Sequence, residues 1–135
     1  MTRTYLDSGV LIAAARGAGE LARRAVSILQ DSNREFVSSD YVRLEVLPKP
    51  LYFNHKEEVR FYEQYFGIVA QLLRFDVAHL HGAYAEACAS GLSALDALHI
   101  FVASAGGCDE IVTTEKSSAA IHRTTRIPVV TIDTE

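Results

Sequence analysis

Short apolar stretches alternate along the chain with longer segments whose apolar residues recur at helical spacing. The short stretches predict five strands, at residues 3–6, 35–37, 72–75, 110–113 and 128–132. The longer segments predict seven helices, at residues 8–15, 19–30, 40–47, 56–69, 78–90, 94–105 and 117–124. Short strands joined by helical crossovers predict an α/β fold with a parallel sheet that helices cover on both faces.

Proline and glycine mark the expected helix ends. Pro48 and Pro50 are predicted to end the third helix, because each lacks a backbone donor and biases the preceding residue, Leu47 or Lys49, toward extended geometry. Gly91 and the pair at 106–107 are predicted to end the helices before them, since glycine readily adopts the left-handed conformation found there.

Two carboxylates come just after predicted strands. Asp7 follows the strand at 3–6, and Glu115 follows the strand at 110–113 after one threonine. Ligands in open α/β sheets bind beyond the carboxyl ends of the strands, so both are candidate binding residues. The alternative for Asp7 is a helix N-cap, a role that aspartate fills well, and for Glu115 it is an exposed acid in a first helical turn.

Two further carboxylates interrupt apolar helices. Glu45 lies between Leu44 and Val46, and its alternative is a solvated helix face with Lys49 four residues on. Asp96 interrupts the most apolar segment of the chain, and its alternative is a capping box with Ser93 three residues before it. An unpaired carboxylate buried in such surroundings would be costly, so both are also candidates for a binding site.

Taken together, Asp7, Glu45, Asp96 and Glu115 predict one anionic site at the crevice where the strand order of the sheet reverses. The chain has 17 acidic and 13 basic side chains, so without these four acids the charges balance and the whole net charge of −4 fits in the site. Such carboxylates repel each other unless hard cations neutralise them, which indicates Mg²⁺ or Mn²⁺. The five histidines show no zinc spacing: His55, His79, His81, His99 and His122.

Length and composition predict a single domain over residues 1–135, 49% hydrophobic and 22% charged. The acidic balance argues against a protein that coats nucleic acid through bulk positive charge. Two cysteines, Cys88 and Cys108, form no disulfide framework and suit a reducing compartment, so we expect the cytoplasm. No export signal or bilayer-spanning run is expected.

Four stretches resemble, in order and spacing, the PIN-domain ribonucleases, in the small stand-alone form of VapC-type toxins: 5–12 (YLDSGVLI), 44–49 (LEVLPK), 94–101 (ALDALHIF) and 111–116 (IVTTEK). The resemblance implies a three-layer α/β/α sandwich with a five-stranded parallel sheet, divalent-metal dependence and cleavage of single-stranded RNA. Four residues would take the places of the family's metal-binding acids: Asp7, Glu45, Asp96 and Glu115.

The chain departs from the family at two positions. Gly9 stands where many members have asparagine, and Glu115 stands where aspartate is more common. Hydroxyl groups of Ser8, Thr113 or Thr114 are therefore candidates for orienting an acid or a water at the site. These departures keep open a second interpretation, in which the chain is a PIN relative that binds RNA or protein without cutting.

Different residues are candidates for contacting RNA phosphates and for contacting a protein partner. Basic residues near the motifs are candidates for holding RNA phosphates: Arg16, Arg43, Lys49, Lys116, Arg123 and Arg126. The segment around the fourth predicted helix has more apolar and aromatic side chains than one core-facing side of a helix would bury: residues 51–53, Phe61, Tyr62, Tyr65 and Phe66. They predict either a homodimer contact or a groove for an antitoxin helix.

A receiver-like signalling domain is the remaining alternative. In that interpretation Asp76, which follows the strand at 72–75, would accept a phosphate beside Mg²⁺. Such a fold needs a pair of acids after its first strand, and the chain has only Asp7 there. We therefore rank this interpretation below a nuclease.

Overall fold

The computed structural model describes residues 1–134. Within those residues, five strands form one sheet: β1 (Thr2–Leu6), β2 (Arg34–Ser39), β3 (Gln71–Leu73), β4 (Glu110–Thr113) and β5 (Val129–Thr131). Every neighbouring pair is parallel, and the strand order is β3-β2-β1-β4-β5. The predicted α/β architecture with a five-stranded parallel sheet is confirmed.

Seven α-helices and one 3-10 helix connect the strands in the described part of the chain: α1 (Ser8–Arg16), α2 (Glu20–Leu29), α3 (Asp40–Val46), α4 (Pro48–Tyr52), α5 (Lys56–Ile68), α6 (Val77–Ser90), α7 (Ala94–Ala105) and the 3-10 helix (Ala120–Arg123). Helix α1 packs against α2, α3 and α5, whereas α6 packs against α7. Right-handed crossovers place these two groups on opposite faces of the sheet, which gives three layers.

The core lies where the two central strands meet both helical layers. Tyr5 and Leu6 of β1 and Ile111 and Val112 of β4 are fully buried. Such continuous burial is typical of central parallel strands, because neighbouring residues point into opposite covered faces. The carboxyl ends of β1 and β4 therefore emerge from the best-packed part of the molecule, and residues that follow them have a rigid base.

Two expectations about helices were wrong. Helix α3 ends at Val46, just before Pro48 as predicted, but Leu47 is not extended: it has helical backbone angles (φ −86°, ψ −38°), and a new helix, α4, begins at Pro48. Proline is tolerated in a first helical turn, where its missing N–H has no helical partner. The helix predicted at 117–124 is only the short 3-10 helix, Ala120–Arg123.

The predicted glycine ends are correct. Gly91 ends α6 in the left-handed conformation (φ +66°), with its N–H bonded to the carbonyl of Ala87. Gly106 is the C-cap of α7, and Gly107 is left-handed (φ +74°). Gly91 lets the chain turn from α6 into α7, and Gly107 lets it turn from α7 toward β4.

No single helix among residues 1–134 has the length and apolar character needed to cross a bilayer. Helices α6 and α7, which are bent by 113° at their junction, pass that test only as a pair.

Candidate active site

The candidate site lies at the switch point of the sheet. The chain leaves β1 toward β2 on one side and later returns to place β4 on the other. Asp7 comes directly after β1, and Thr113 ends β4. A crevice at the carboxyl ends of two strands with diverging connections is where open α/β sheets bind ligands. The sheet thus places Asp7 where a ligand is expected.

Asp7 occupies the N-cap position of α1, yet its carboxylate makes no capping hydrogen bond within the described residues. Instead, Oδ2 accepts a hydrogen bond of 2.9 Å from the hydroxyl of Thr113. The same hydroxyl accepts a 3.1 Å bond from the backbone N–H of Glu115. The capping alternative therefore does not account for the Asp7 carboxylate, and Thr113 orients it as a supporting hydroxyl.

Asp96 lies in the first turn of α7, partly buried. Its backbone N–H is bonded to the hydroxyl of Ser93 at 3.4 Å, so the capping interpretation is correct for the backbone. Burial raises the pKa of the Asp96 carboxyl, and the negative charge of Asp7 raises it further, against the opposing effects of Ser93 and His99. The two aspartates therefore repel each other across the crevice.

Glu45 is partly exposed at a cleft that Lys49 also lines, but its carboxylate is bonded to other protein groups. Its Oε1 accepts a 2.7 Å hydrogen bond from the hydroxyl of Ser8 and a short hydrogen bond from Nε2 of His99. Partial burial favours a higher pKa, but the hydrogen bonds from His99 and Ser8 outweigh it and lower the pKa of Glu45. Glu45 is thus held as an anion, and it adds to the repulsion on Asp96.

His99 is a site residue that the sequence analysis missed, because histidine was considered there only as a zinc ligand. The side chain is buried, and its Nδ1 lies 2.7 Å from the hydroxyl of Tyr5. That hydroxyl lies 2.7 Å from Oγ of Ser39. A histidine in the most apolar helix, three residues after Asp96, was the available signal, since such a side chain needs polar partners.

The Glu115 side chain is exposed, although its backbone lies close to Asp7 through Thr113. Its carbonyl is 3.3 Å from Nε2 of His122. The structure therefore couples three predicted acids, Asp7, Glu45 and Asp96, and leaves the Glu115 carboxylate in solvent.

The donor set suits a hard cation in its chemistry. Carboxylate oxygens are the ligands that Mg²⁺ and Mn²⁺ prefer, and a positive ion would relieve the repulsion that raises the pKa of Asp96. Among residues 1–134, however, no group of three or more histidine, cysteine or acidic side chains has the geometry to hold a metal ion. A cation would have to draw the coupled carboxylates closer together.

Gly9 and Thr114 fit each other at the rim of this crevice. A Cβ built on Gly9 would lie 2.5 Å from Oγ1 of Thr114, which is far inside contact distance. Glycine at this position is therefore matched to the threonine beside it.

We expect Gly9→Ala to destabilise the protein by about 1–2 kcal/mol, because Thr114 must move to accommodate the methyl group. In a Thr114→Ala background the same change should stabilise by up to about 1 kcal/mol, since alanine is the better helix former and the clash is gone. Urea unfolding of the four proteins measures this reversal of sign. An equal effect of Gly9→Ala in both backgrounds would contradict it.

The basic candidates fall into two groups. Arg16 and Lys49 line, together with Glu45, a cleft of about 340 Å³ beside the site, and Nε of Arg16 lies 3.8 Å from Oε1 of Glu58 in the same cleft. The guanidinium of Arg123 instead bonds to carbonyls of Ser90 and Gly91, that of Arg126 pairs with Glu86, and that of Arg43 lies over the ring of Phe66. Lys116 is exposed. Arg16 and Lys49 are the best placed of these cations to meet a substrate at Glu45.

The aromatic and apolar candidates for a partner contact include both buried and exposed residues. Tyr62, Tyr65 and Phe66 of α5 are buried in the core, at 0%, 3% and 8% exposure. Leu51, Tyr52 and Phe53 are exposed at the end of α4. Core packing therefore explains why α5 carries these aromatic residues. The exposed segment 51–53 remains a candidate partner surface.

Asp76 has a structural role. It follows the edge strand β3, and its Oδ1 accepts a 2.8 Å hydrogen bond from the backbone N–H of Ala78 as the N-cap of α6. The coupled acids lie at β1 and β4 instead, so the receiver-like interpretation does not fit this molecule.

Comparison with known proteins bears on the family and the fold of this chain. A family model described as "PIN domain" matches residues 4–126. Three solved structures share the fold. A chain in the crystal structure of VapBC2 from Rickettsia felis bound to a DNA fragment from their promoter has a TM-score of 0.70 and 14% identity, with 98% of this chain and 100% of that chain covered.

DNA-bound VapBC from Salmonella typhimurium gives a TM-score of 0.66 and 18% identity over 97% of this chain and 98% of that one. FitAcB from Neisseria gonorrhoeae gives a TM-score of 0.63 and 18% identity, with 94% of this chain and 96% of that chain covered. A search of curated proteins finds no match. The family model covers most of the chain, and we conclude that this protein belongs to the PIN-domain family.

Proposed function

We propose that this protein is an endoribonuclease that hydrolyses phosphodiester bonds of single-stranded RNA with Mg²⁺ or Mn²⁺ as its cofactor. The observation that carries the proposal is the placement of Asp7 beyond the end of β1 and of Asp96 in the first turn of α7 at the switch point of the sheet, where the charge of Asp7 helps to raise the pKa of Asp96. A fold gains nothing from placing like charges together in a partly buried crevice, unless a cation joins them when the protein is active.

Asp7 and Asp96 would hold the cation, with Glu45 as the third ligand and Glu115 as a fourth that reaches in from solvent. A divalent cation in such a site lowers the pKa of a bound water and stabilises charge on the departing oxygen. The chain's own contribution is orientation: Thr113 fixes one oxygen of Asp7, and Ser8 fixes one oxygen of Glu45. Each carboxylate keeps its second oxygen for the ion.

The substrate would approach along the cleft beside Glu45. Arg16 and Lys49 are exposed there and present positive charge at the edge of an acidic site. Cations at this position would offset the repulsion between the phosphate backbone and the carboxylates, and they would fix the strand without selecting its sequence.

We also propose that the protein is the toxin of a cytoplasmic toxin–antitoxin pair. The matched VapBC and FitAcB chains support this assignment, because they cover nearly the whole chain. The exposed apolar segment 51–53 is a candidate contact for an antitoxin or for a second copy of the chain in a homodimer. We propose that the whole chain, residues 1–135, forms the one domain involved.

Metal removal tests the proposed activity. We expect the purified protein to cleave an unstructured RNA in Mg²⁺ or Mn²⁺, to lose cleavage completely in EDTA, and to regain it when excess Mn²⁺ is added back. A fluorophore-quencher RNA oligonucleotide measures the rate, and the same protein treated with EDTA and then with excess Ca²⁺ is the control for ionic strength. Full cleavage in EDTA would refute the metal-dependent mechanism.

A catalytically weak PIN relative that only binds RNA or protein is the second candidate function. The observation that favours it is the exposed Glu115 carboxylate, which leaves the coupled set at three acids. RNA binding without cleavage in Mg²⁺, Mn²⁺ or Co²⁺ would select this candidate over the nuclease.

A further inference from the structure

We propose that His99, oriented by Tyr5, is a positioning residue that fixes the Glu45 carboxylate for cation binding. This inference rests on the proposed function and assigns a role to a buried group outside the four acids. Glu45 is on α3, and its carboxylate is bonded from two other elements, by His99 of α7 and Ser8 of α1. Tyr5 of β1 supports it indirectly, through His99.

The hydrogen bonds form one continuous series that ends at Glu45. The backbone N–H of Val42 donates to Oγ of Ser39 at 3.3 Å, in the N-cap of α3. Oγ of Ser39 and the hydroxyl of Tyr5 are 2.7 Å apart, and that hydroxyl is 2.7 Å from Nδ1 of His99. Nε2 of His99 then meets Oε1 of Glu45. The series begins and ends on α3, less than two turns apart.

The partners at the two ends set the direction of the series. Ser39 already accepts from a backbone N–H, so its own hydroxyl proton is available to Tyr5. Tyr5 can then donate to Nδ1 of His99, and the ring proton on Nε2 is donated to the carboxylate. When Nδ1 of His99 accepts from Tyr5 and Nε2 donates to Glu45, every hydroxyl and ring proton in the series has an acceptor.

Burial makes this arrangement rigid. Tyr5 and Ser39 are fully buried and His99 is 2% exposed, so water cannot replace the bonds between them. Glu45 alone is partly open, on the side of the cleft. Because His99 and Ser8 both bind Oε1, the carboxylate cannot rotate freely, and Oε2 is left for a ligand. Hydrogen bonds of this kind orient metal-binding carboxylates in other sites.

The chain contains a matched tyrosine–histidine pair that does not touch the acids. The hydroxyl of Tyr41 lies 2.7 Å from Nδ1 of His79, the same distance between the same atoms as in Tyr5 and His99. This pair joins α3 to α6 near the N-cap of α6. Changes there remove the same chemistry from a different part of the molecule, which makes them controls for general loss of packing.

The test measures Mn²⁺ affinity by titration calorimetry, independently of cleavage. We expect His99→Leu to weaken Mn²⁺ binding by about 10–100-fold, the usual cost of losing a group that orients a metal ligand. His99→Gln should recover part of the affinity, because its amide can still donate to Glu45. Tyr5→Phe, which keeps the ring and removes only the hydroxyl, should give an intermediate loss. His79→Leu and Tyr41→Phe should bind Mn²⁺ as the wild type does.

A second measurement covers the case in which His99→Leu fails to fold. Nitrogen NMR of the metal-free protein should show His99 protonated at Nε2 alone in the wild type, and a mixture of ring forms in Tyr5→Phe. Wild-type affinity in both His99→Leu and Tyr5→Phe would overturn the inference and leave the proposed function intact. Absence of Mn²⁺ binding by the wild type would overturn both.

Discussion

Asp96→Asn should reduce RNA cleavage by more than about 100-fold while the protein stays folded. The carboxylate is the one on which Asp7 and Glu45 both act, and asparagine keeps its size but removes the charge that would hold a cation. Loss of a group that only orients a metal ligand costs about 10–100-fold, so loss of a ligand should cost more. Initial rates on a fluorogenic RNA in saturating Mn²⁺ measure the change.

The matched control is Asp76→Asn, which alters an aspartate at the N-cap of α6, beyond the end of edge strand β3. It should retain at least about half of the wild-type rate, with a small loss of stability from the weakened cap. Equal rates in Asp96→Asn and the wild type would remove Asp96 from the proposed metal site, and a comparable loss in both variants would indicate a general effect on folding.

The same substitution should stabilise the metal-free protein and raise its Tm. The folded state raises the pKa of Asp96 above its unfolded value, so the ionised carboxylate destabilises the fold at neutral pH. That penalty is absent below the unfolded pKa and grows as pH rises through the folded pKa. The Tm difference between variant and wild type in EDTA should therefore be larger at pH 7 than at pH 4, and a fall in Tm at pH 7 would contradict a repulsive site.

The fold could be predicted from the sequence because its signals are local and agree with each other. Short strand-forming stretches alternate with segments of helical periodicity along the chain, and Gly91 marks the end of α6. Pro48 misled the prediction because proline stops a helix only when it falls inside one, and the pattern does not show that a new helix starts at that residue.

The candidate site was predictable in its positions but not in its contacts. Asp7 stands after a strand and Asp96 at a helix start, and both positions can be read from the chain. Glu45 and His99 are 54 positions apart, and the local spacing of apolar residues gives no information about a contact over that distance. Exposure of Glu115 depends in the same way on the path of the chain after β4, where the expected helix is replaced by bends and a 3-10 turn.

Packing of α6 on α7 supports the helix that carries Asp96 and His99, and it depends on a glycine. A Cβ built on Gly82 would lie 2.2 Å from two ring atoms of Phe101, so the two helices approach each other where Gly82 has no side chain. The ring has little freedom to withdraw, because the Arg126 guanidinium lies 5.1 Å from its centre and the His79 ring lies 6.3 Å away. Small residues at such crossings set the distance between helices.

Gly82→Ala should therefore destabilise the protein by about 2–3 kcal/mol, despite the better helix propensity of alanine, because the methyl group overpacks a tight contact. Gly67→Ala is the matched control: Gly67 also lies inside a helix, but nothing lies within 4 Å of its Cβ position, so that variant should gain up to about 1 kcal/mol. Phe101→Leu should relieve part of the loss when combined with Gly82→Ala. Urea unfolding measures all four proteins, and a stability of Gly82→Ala equal to that of Gly67→Ala would show that α6 and α7 separate freely, leaving the positions of Asp96 and His99 without this support.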